Sequence, residues 1–156
     1  MGTEPRILQI SEMKYVGLAI EHNVHETAKG SPVIPQLWAA LDTRMAEVKD
    51  ETGNLFGVAG PVKSDGTAKY AAALEVSAQT RVPPGMIAGV IPAGKYAEFI
   101  HHGPISRFSE TVRFIHDSWM PKAGYTNHNC SQIEIMSKEA DVNSATFTMK
   151  VLVPLF

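Results

Sequence analysis

Alternating apolar and polar positions give way to apolar residues spaced by threes and fours, and this sequence of patterns then starts again. Residues 6–21 carry Ile7-Leu8-Gln9-Ile10 and then Tyr15-Val16-Gly17-Leu18-Ala19-Ile20. They predict one long strand with a bulge or kink near Ser11 to Lys14. A loop with Gly30, Ser31 and Pro32 follows. Ile34, Leu37, Trp38, Leu41, Met45 and Val48 then make one apolar stripe of a helix. Its start falls at Ser31-Pro32 or Ile34-Pro35, since proline is tolerated where the first amide has no helical partner, and Gly53 stops it. Leu55 to Gly60 and Tyr70 to Ser77 predict a hairpin joined through Lys63-Ser64-Asp65-Gly66.

After a linker, 78–85, the order recurs. Met86 to His102 reads as a second long strand interrupted at Pro92-Ala93-Gly94. Ile105, Phe108, Val112, Ile115 and Trp119 form a second helical stripe, opened by Pro104 and closed by Pro121 and Gly124. Gln132 to Met136 and Thr146 to Leu155 form a second strand pair. Ile10 through Leu18 lies on Ile91 through Phe99 without a gap, matching Lys14-Tyr15 to Lys95-Tyr96. A repeat of four elements in one order fixes architecture more firmly than any shared dipeptide. The expected fold is α+β: two tandem β-α-β-β units (about 5–78 and 85–156) related by a pseudo-twofold. Their antiparallel sheets are continuous or facing, with helices on one side and a central cleft, within a single domain spanning 1–156.

With 156 residues, 44 % apolar and 19 % charged, the chain has the make-up of a globular protein. Its formal net charge of −2 and the lack of a basic run argue against sequence-independent nucleic-acid binding, which needs cations to displace counterions from phosphate. No apolar run is long enough for a membrane span and no secretory leader pattern opens the chain. Cys130 is its single cysteine, expected as a solitary buried thiol in a reducing, cytoplasmic setting. His101 and His102 are adjacent on a strand and point apart, and His22 and His25 lack a third ligand, so no metal is expected. Gly85, Gly89 and Gly94 do not fall in a phosphate-loop spacing, and no cofactor is implied.

Several segments resemble the GyrI-like effector-binding domain of AraC-type and multidrug-responsive regulators. They are Pro35-Gln36-Leu37-Trp38, Phe56-Gly57-Val58, Tyr70 through Glu75-Val76, and Pro84-Gly85-Met86. Ile91-Pro92-Ala93-Gly94-Lys95-Tyr96-Ala97 is the most specific, joined by His102-Gly103-Pro104, Trp119-Met120-Pro121 and Gly124-Tyr125. The resemblance covers nearly the whole chain and implies two tandem strand-helix-strand-strand motifs with a small-molecule cleft between them. It also implies an acid at the floor of an aromatic pocket, in contact with a lipophilic cation, and Glu134 in Gln132-Ile133-Glu134-Ile135-Met136 matches that position. Met136 stands where many members carry an aromatic residue, which changes pocket shape more than charge. No DNA-binding segment is recognisable, so a partner regulator, rather than this polypeptide alone, would act on transcription.

Strand alternation sets Glu134 opposite to Ile133 and Ile135; if the isoleucines face the helices, Glu134 faces the cleft. A carboxylate among apolar groups needs a compensating partner, and a weakly hydrated cation ringed by aromatics is one. Trp38 is placed at the cleft edge or in the core, and Trp119 in the core. Tyr15 and Tyr96 either aim their hydroxyls into the cleft or cap sheet packing, while Phe56 and Tyr70 are candidate pocket walls. Seven methionines, Met136 among them, suit an adaptable pocket or an ordinary core.

Three functions follow from these residues and the resemblance. The first is a receptor for lipophilic cationic compounds such as drugs, dyes and biocides. The second is a protein that binds and inhibits DNA gyrase or another protein target. The third is a hydrolase of small electrophiles using Glu134 with Tyr15 or Tyr96 as base and proton donor. Free edge strands allow either a monomer or a homodimer.

Overall fold

A computed structural model of the protein describes residues 4–78, 81–125 and 131–155; Cys130 and part of the 78–85 linker lie outside these. Eight strands form one curled antiparallel sheet, a half-barrel, with a few short helices. The strands are β1 (Arg6–Ile10), β2 (Met13–Asn23), β3 (Glu51–Ala59), β4 (Thr67–Val76), β5 (Ile87–Ile91), β6 (Gly94–His102), β7 (Gln132–Ser137) and β8 (Thr148–Pro154). Their order across the sheet is β1-β6-β8-β7-β3-β4-β2-β5.

Both long strands break where the sequence interrupts its alternation, at residues 11–12 and 92–93, and the breaks redirect the chain. β1 thereby leaves β2 and pairs with β6, whereas β5 leaves β6 and pairs with β2. The sheet's two edges are therefore built from exchanged pieces. Within the described residues no helix is long and apolar enough to cross a membrane.

The short helix α1 (Val24–Ala28) lies where the sequence predicts a loop. Asn23 accepts from the amides of His25 and Glu26, an N-cap in the Asn-x-x-Glu spacing that favours a helix start. The next helix, α2 (Val33–Asp42), is shorter than its stripe suggested. It ends at Thr43, whose hydroxyl donates to the Ala40 carbonyl, and Met45–Glu47 then forms a 3₁₀ turn. Spacing by threes suits both helix types, so Met45 and Val48 continue the stripe through the change.

The second helical stretch runs through a 3₁₀ turn at Ile105–Arg107, α3 (Phe108–Arg113), a widened π-type segment at Phe114–Trp119 and α4 (Met120–Lys122). Pro121 lies inside this stretch instead of closing it. Its missing amide leaves no α-type partner for the carbonyl four residues earlier, and the π segment lies immediately before it.

Both helical stretches cover the same face of the sheet. On that face one row of directly paired residues crosses six strands: Phe99, Val151, Glu134, Gly57, Ala72 and Leu18. At one end Phe99 packs edge-on to Trp119, within a core of Ala97, Ile115, Met120 and Val153. Toward the other end, Leu37 and Leu41 of α2 pack with Val16, Leu55, Tyr70 and Leu74. The opposite face holds a separate buried cluster of Phe56, Tyr96, Ile133 and Leu152, with Tyr15 and Ile135 against it.

Candidate functional site

Midway along that row the two helical layers part. A cavity of about 650 Å³ opens there, within the ~300–1,000 Å³ range of small-molecule pockets. One face of α2 forms a wall through Ile34, Pro35, Trp38, Ala39 and Asp42, and Ile105 and Phe108 stand on the other side. Leu55, Tyr70 and Met136 line the sheet side, and Lys138, Ala140 and Val142 come from the turn after β7. The carboxylate of Glu134 sits at the floor, 9 % exposed. A second, more open hollow of about 500 Å³ lies under residues 140–150, and no buried acid lines it.

Glu134 has no cationic partner among the described residues. It accepts instead from the Tyr70 hydroxyl at Oε1 (3.1 Å) and from Gln132 Nε2 at Oε2 (3.5 Å). Tyr70 in turn accepts from Trp38 Nε1–H at 3.0 Å. Burial pushes the Glu134 carboxyl up to about 7, and the two hydrogen bonds only partly offset it. Burial also drives the Tyr70 hydroxyl well above its usual range, reinforced by the neighbouring carboxylate, so it stays a proton donor in the hydrogen-bond sense.

The close approach of Tyr70 to Glu134 depends on Gly57. A Cβ there would lie 2.5 Å from both Glu134 Oε1 and the Tyr70 hydroxyl oxygen. A glycine within the apolar run Leu55–Ala59 of a strand marks such an approach.

Of the residues singled out in the sequence, the structure brings Glu134, Trp38, Tyr70 and Met136 together around one cavity. Tyr15, Phe56 and Tyr96 point to the other side of the sheet. The ring of Tyr15 lies across Gly89 and edge-on to Phe56, and Tyr96 donates its hydroxyl to the Pro92 carbonyl at the kink. Ile133 and Ile135 face that same side, away from the helices, so the condition attached to Glu134 is reversed while its alternation holds. Pairing Glu134 with Tyr15 or Tyr96 is corrected accordingly: the tyrosine beside it is Tyr70.

Sequence reasoning passed over Phe108, Asp42, Gln132 and His116. Gln132 was accessible by the period of two, because it precedes Glu134 by two positions on one strand. His101 is buried, bonded to Thr111 and to the Gly103 carbonyl, and His102 is exposed.

A model of the GyrI-like small molecule binding domain matches residues 3–155. No curated protein matches the chain at a significant level. Among solved structures, SAV2435 bound to tetraphenylphosphonium superposes with a TM-score of 0.77 at 15 % identity, covering 97 % of this chain and 93 % of that one. A putative transcription regulation protein from Staphylococcus aureus gives 0.66 at 17 %, over 98 % of both chains. The EcmrR C-terminal domain gives 0.63 at 17 %, over 97 % and 96 %. At such identities the likeness is one of fold.

Proposed function

The chain belongs to the GyrI-like small molecule binding domain family, and we propose that it is a receptor for lipophilic cations, including drugs, dyes and biocides, held over Glu134. The observation that carries this reading is a buried acid at the floor of a largely apolar cavity that makes no ion pair among the described residues, Lys138 at the cavity wall being paired with Glu51 instead. Ionised, such a group is costly to leave unpaired. A delocalised cation supplies the missing charge at small desolvation cost, and the rings of Trp38, Tyr70 and Phe108 add cation–π attraction of roughly 0.5–2 kcal/mol each. SAV2435, of the same fold, takes tetraphenylphosphonium, which supports the choice of probe.

The strand order supports the tandem reading as well. Exchanging β1–β4 for β5–β8 returns the same order backwards, as a pseudo-twofold would require. The spacing that relates Tyr15 to Tyr96 also relates Trp38 to Trp119. In such a duplication Gly57 and Glu134 are counterparts: one half supplies the acid and the other the room for it. The receptor would work in the cytoplasm as one domain, handing its signal to a separate regulator.

The test compares tetraphenylphosphonium with tetraphenylborate, of the same shape and opposite charge, by quenching of tryptophan fluorescence. Selective binding of the phosphonium is expected, and equal or preferential binding of the borate refutes the proposal. A hydrolytic reading retains one favourable observation, the Tyr70–Glu134 contact, and turnover of an electrophilic ester that is lost with Glu134→Gln would establish it.

A further inference from the structure

The two donors on Glu134 are held in different ways. Tyr70 is fixed by its ring in the core and by Trp38. Gln132 carries an amide, which can present either its nitrogen or its oxygen to a neighbour. It is 8 % exposed, and its far end meets His116: Gln132 Oε1 lies 3.0 Å from His116 Nε2, on the π-type segment of the second helical stretch. An amide oxygen only accepts, so Nε2 of His116 must carry the hydrogen. The other ring nitrogen, Nδ1, is buried and has no hydrogen-bond partner among the described residues. A bare nitrogen left in that position costs less than an N–H left there, because buried donors without acceptors are the rarer defect. The surroundings of Nδ1 thus hold the ring in its Nε2–H tautomer.

We propose that His116 is a positioning residue for Glu134: by donating to Gln132 it keeps the amide nitrogen turned toward the carboxylate, and so lowers the pH at which the cavity takes up a cation. The proposal rests on the reading of Glu134 as the cation-binding acid. Without the His116 donor, the Gln132 amide turns over and its carbonyl accepts from the protonated acid. That pairing stabilises the neutral carboxyl and disfavours a bound cation.

The other titratable groups around Glu134 are Tyr70 from β4, Asp42 from α2 and Lys138 just beyond β7, the last paired with Glu51. None of them bonds the Gln132 amide. Its orientation is therefore set between Glu134 and His116 alone among the described residues.

The experiment is a pH series of tetraphenylphosphonium affinity for the unaltered protein, His116→Leu and His116→Gln. Leucine removes the donor, whereas the glutamine amide nitrogen lies close to where the histidine Nε2 was. His116→Leu is expected to raise the pH midpoint of binding by about one unit. Affinity then falls roughly tenfold below the midpoint and recovers above it, as for one lost hydrogen bond to a charged group. His116→Gln is expected to bring the midpoint back toward its original value. Loss of affinity by the same factor at every pH, or an unmoved midpoint, overturns the proposal. Nitrogen-15 spectra of the His116 ring in the unaltered protein provide a test that needs no variant. The Nε2–H tautomer is expected where the ring is neutral, and Nδ1–H overturns the proposal. If Glu134→Gln binds the phosphonium as well as the parent, the cation reading itself falls. If only His116→Leu behaves as the parent, that reading stands and this one does not.

Discussion

Gly57 stands directly opposite Glu134 on the two central strands, and the hydrogen atom it carries in place of a side chain is what lets Tyr70 reach the carboxylate. Gly57→Ala would drive a methyl group into both oxygens. The expected result is loss of the Tyr70–Glu134 hydrogen bond, a stability decrease of about 1–3 kcal/mol and at least tenfold weaker phosphonium binding. Thermal denaturation and fluorescence titration measure the two effects, and unchanged affinity would mean the contact is dispensable.

Glu134→Gln tests the acid itself through stability. Because folding raises its pKa from 4.5 to about 7, the folded state binds the proton more tightly than the unfolded chain does. The associated stability is fully present below pH 4.5 and is lost as pH rises through 7. At pH 8 the glutamine variant of the ligand-free protein should therefore be more stable than the parent by roughly 1–3 kcal/mol, and at pH 4 the two should match. Urea denaturation at both pH values gives the comparison; a constant difference would contradict the linkage.

The same shift makes cation uptake proton-linked. Phosphonium affinity should climb about tenfold per pH unit below 7 and level off above it, with close to one proton released per ligand at pH 6. Calorimetry in buffers of different ionisation enthalpy counts that proton. A count near zero at pH 6 would place the cation away from Glu134.

Tyr70→Phe removes one donor from Glu134 and the acceptor of Trp38. The expected effects are a higher pH midpoint for phosphonium binding and a red-shifted Trp38 emission as its ring loses its anchor. Emission spectra of Tyr70→Phe in a Trp119→Phe background isolate the Trp38 signal.

Tyr96→Phe probes the face without the cavity. It deletes the bond to the Pro92 carbonyl and should cost about 0.5–1.5 kcal/mol of stability while phosphonium affinity stays at the parent value. A drop in affinity comparable to that of Tyr70→Phe would connect the two faces.

Hydrophobic periodicity located every strand to within a few residues, both kinks and the one-sided helices, because these depend on local alternation and on proline and glycine. It could not tell which face of the sheet carries the helices. Both faces are apolar, with Phe56 and Ile133 as thoroughly buried as Leu74 and Val151, so alternation separates two sides without labelling them. For that reason the sequence offers Tyr15, Phe56 and Tyr96 as site candidates alongside Trp38 and Tyr70. The partner of Glu134 was hidden for another reason: Tyr70 reaches it across two strand pairings, β4 to β3 and β3 to β7, which no spacing in the chain encodes. His116 entered only through the widened turn before Pro121, where a regular helical stripe gives no warning.

The crossed placement of β1 and β5 bears on how the polypeptide reaches its native state. Among the described residues β1 finds its one sheet neighbour in β6, almost ninety residues further along, so it cannot pair there until β6 has been made. β2 likewise waits for β5 to cover its outer edge. Contacts of such long range slow folding and bind the two halves into one cooperative unit, so that unravelling either end exposes an edge of the other.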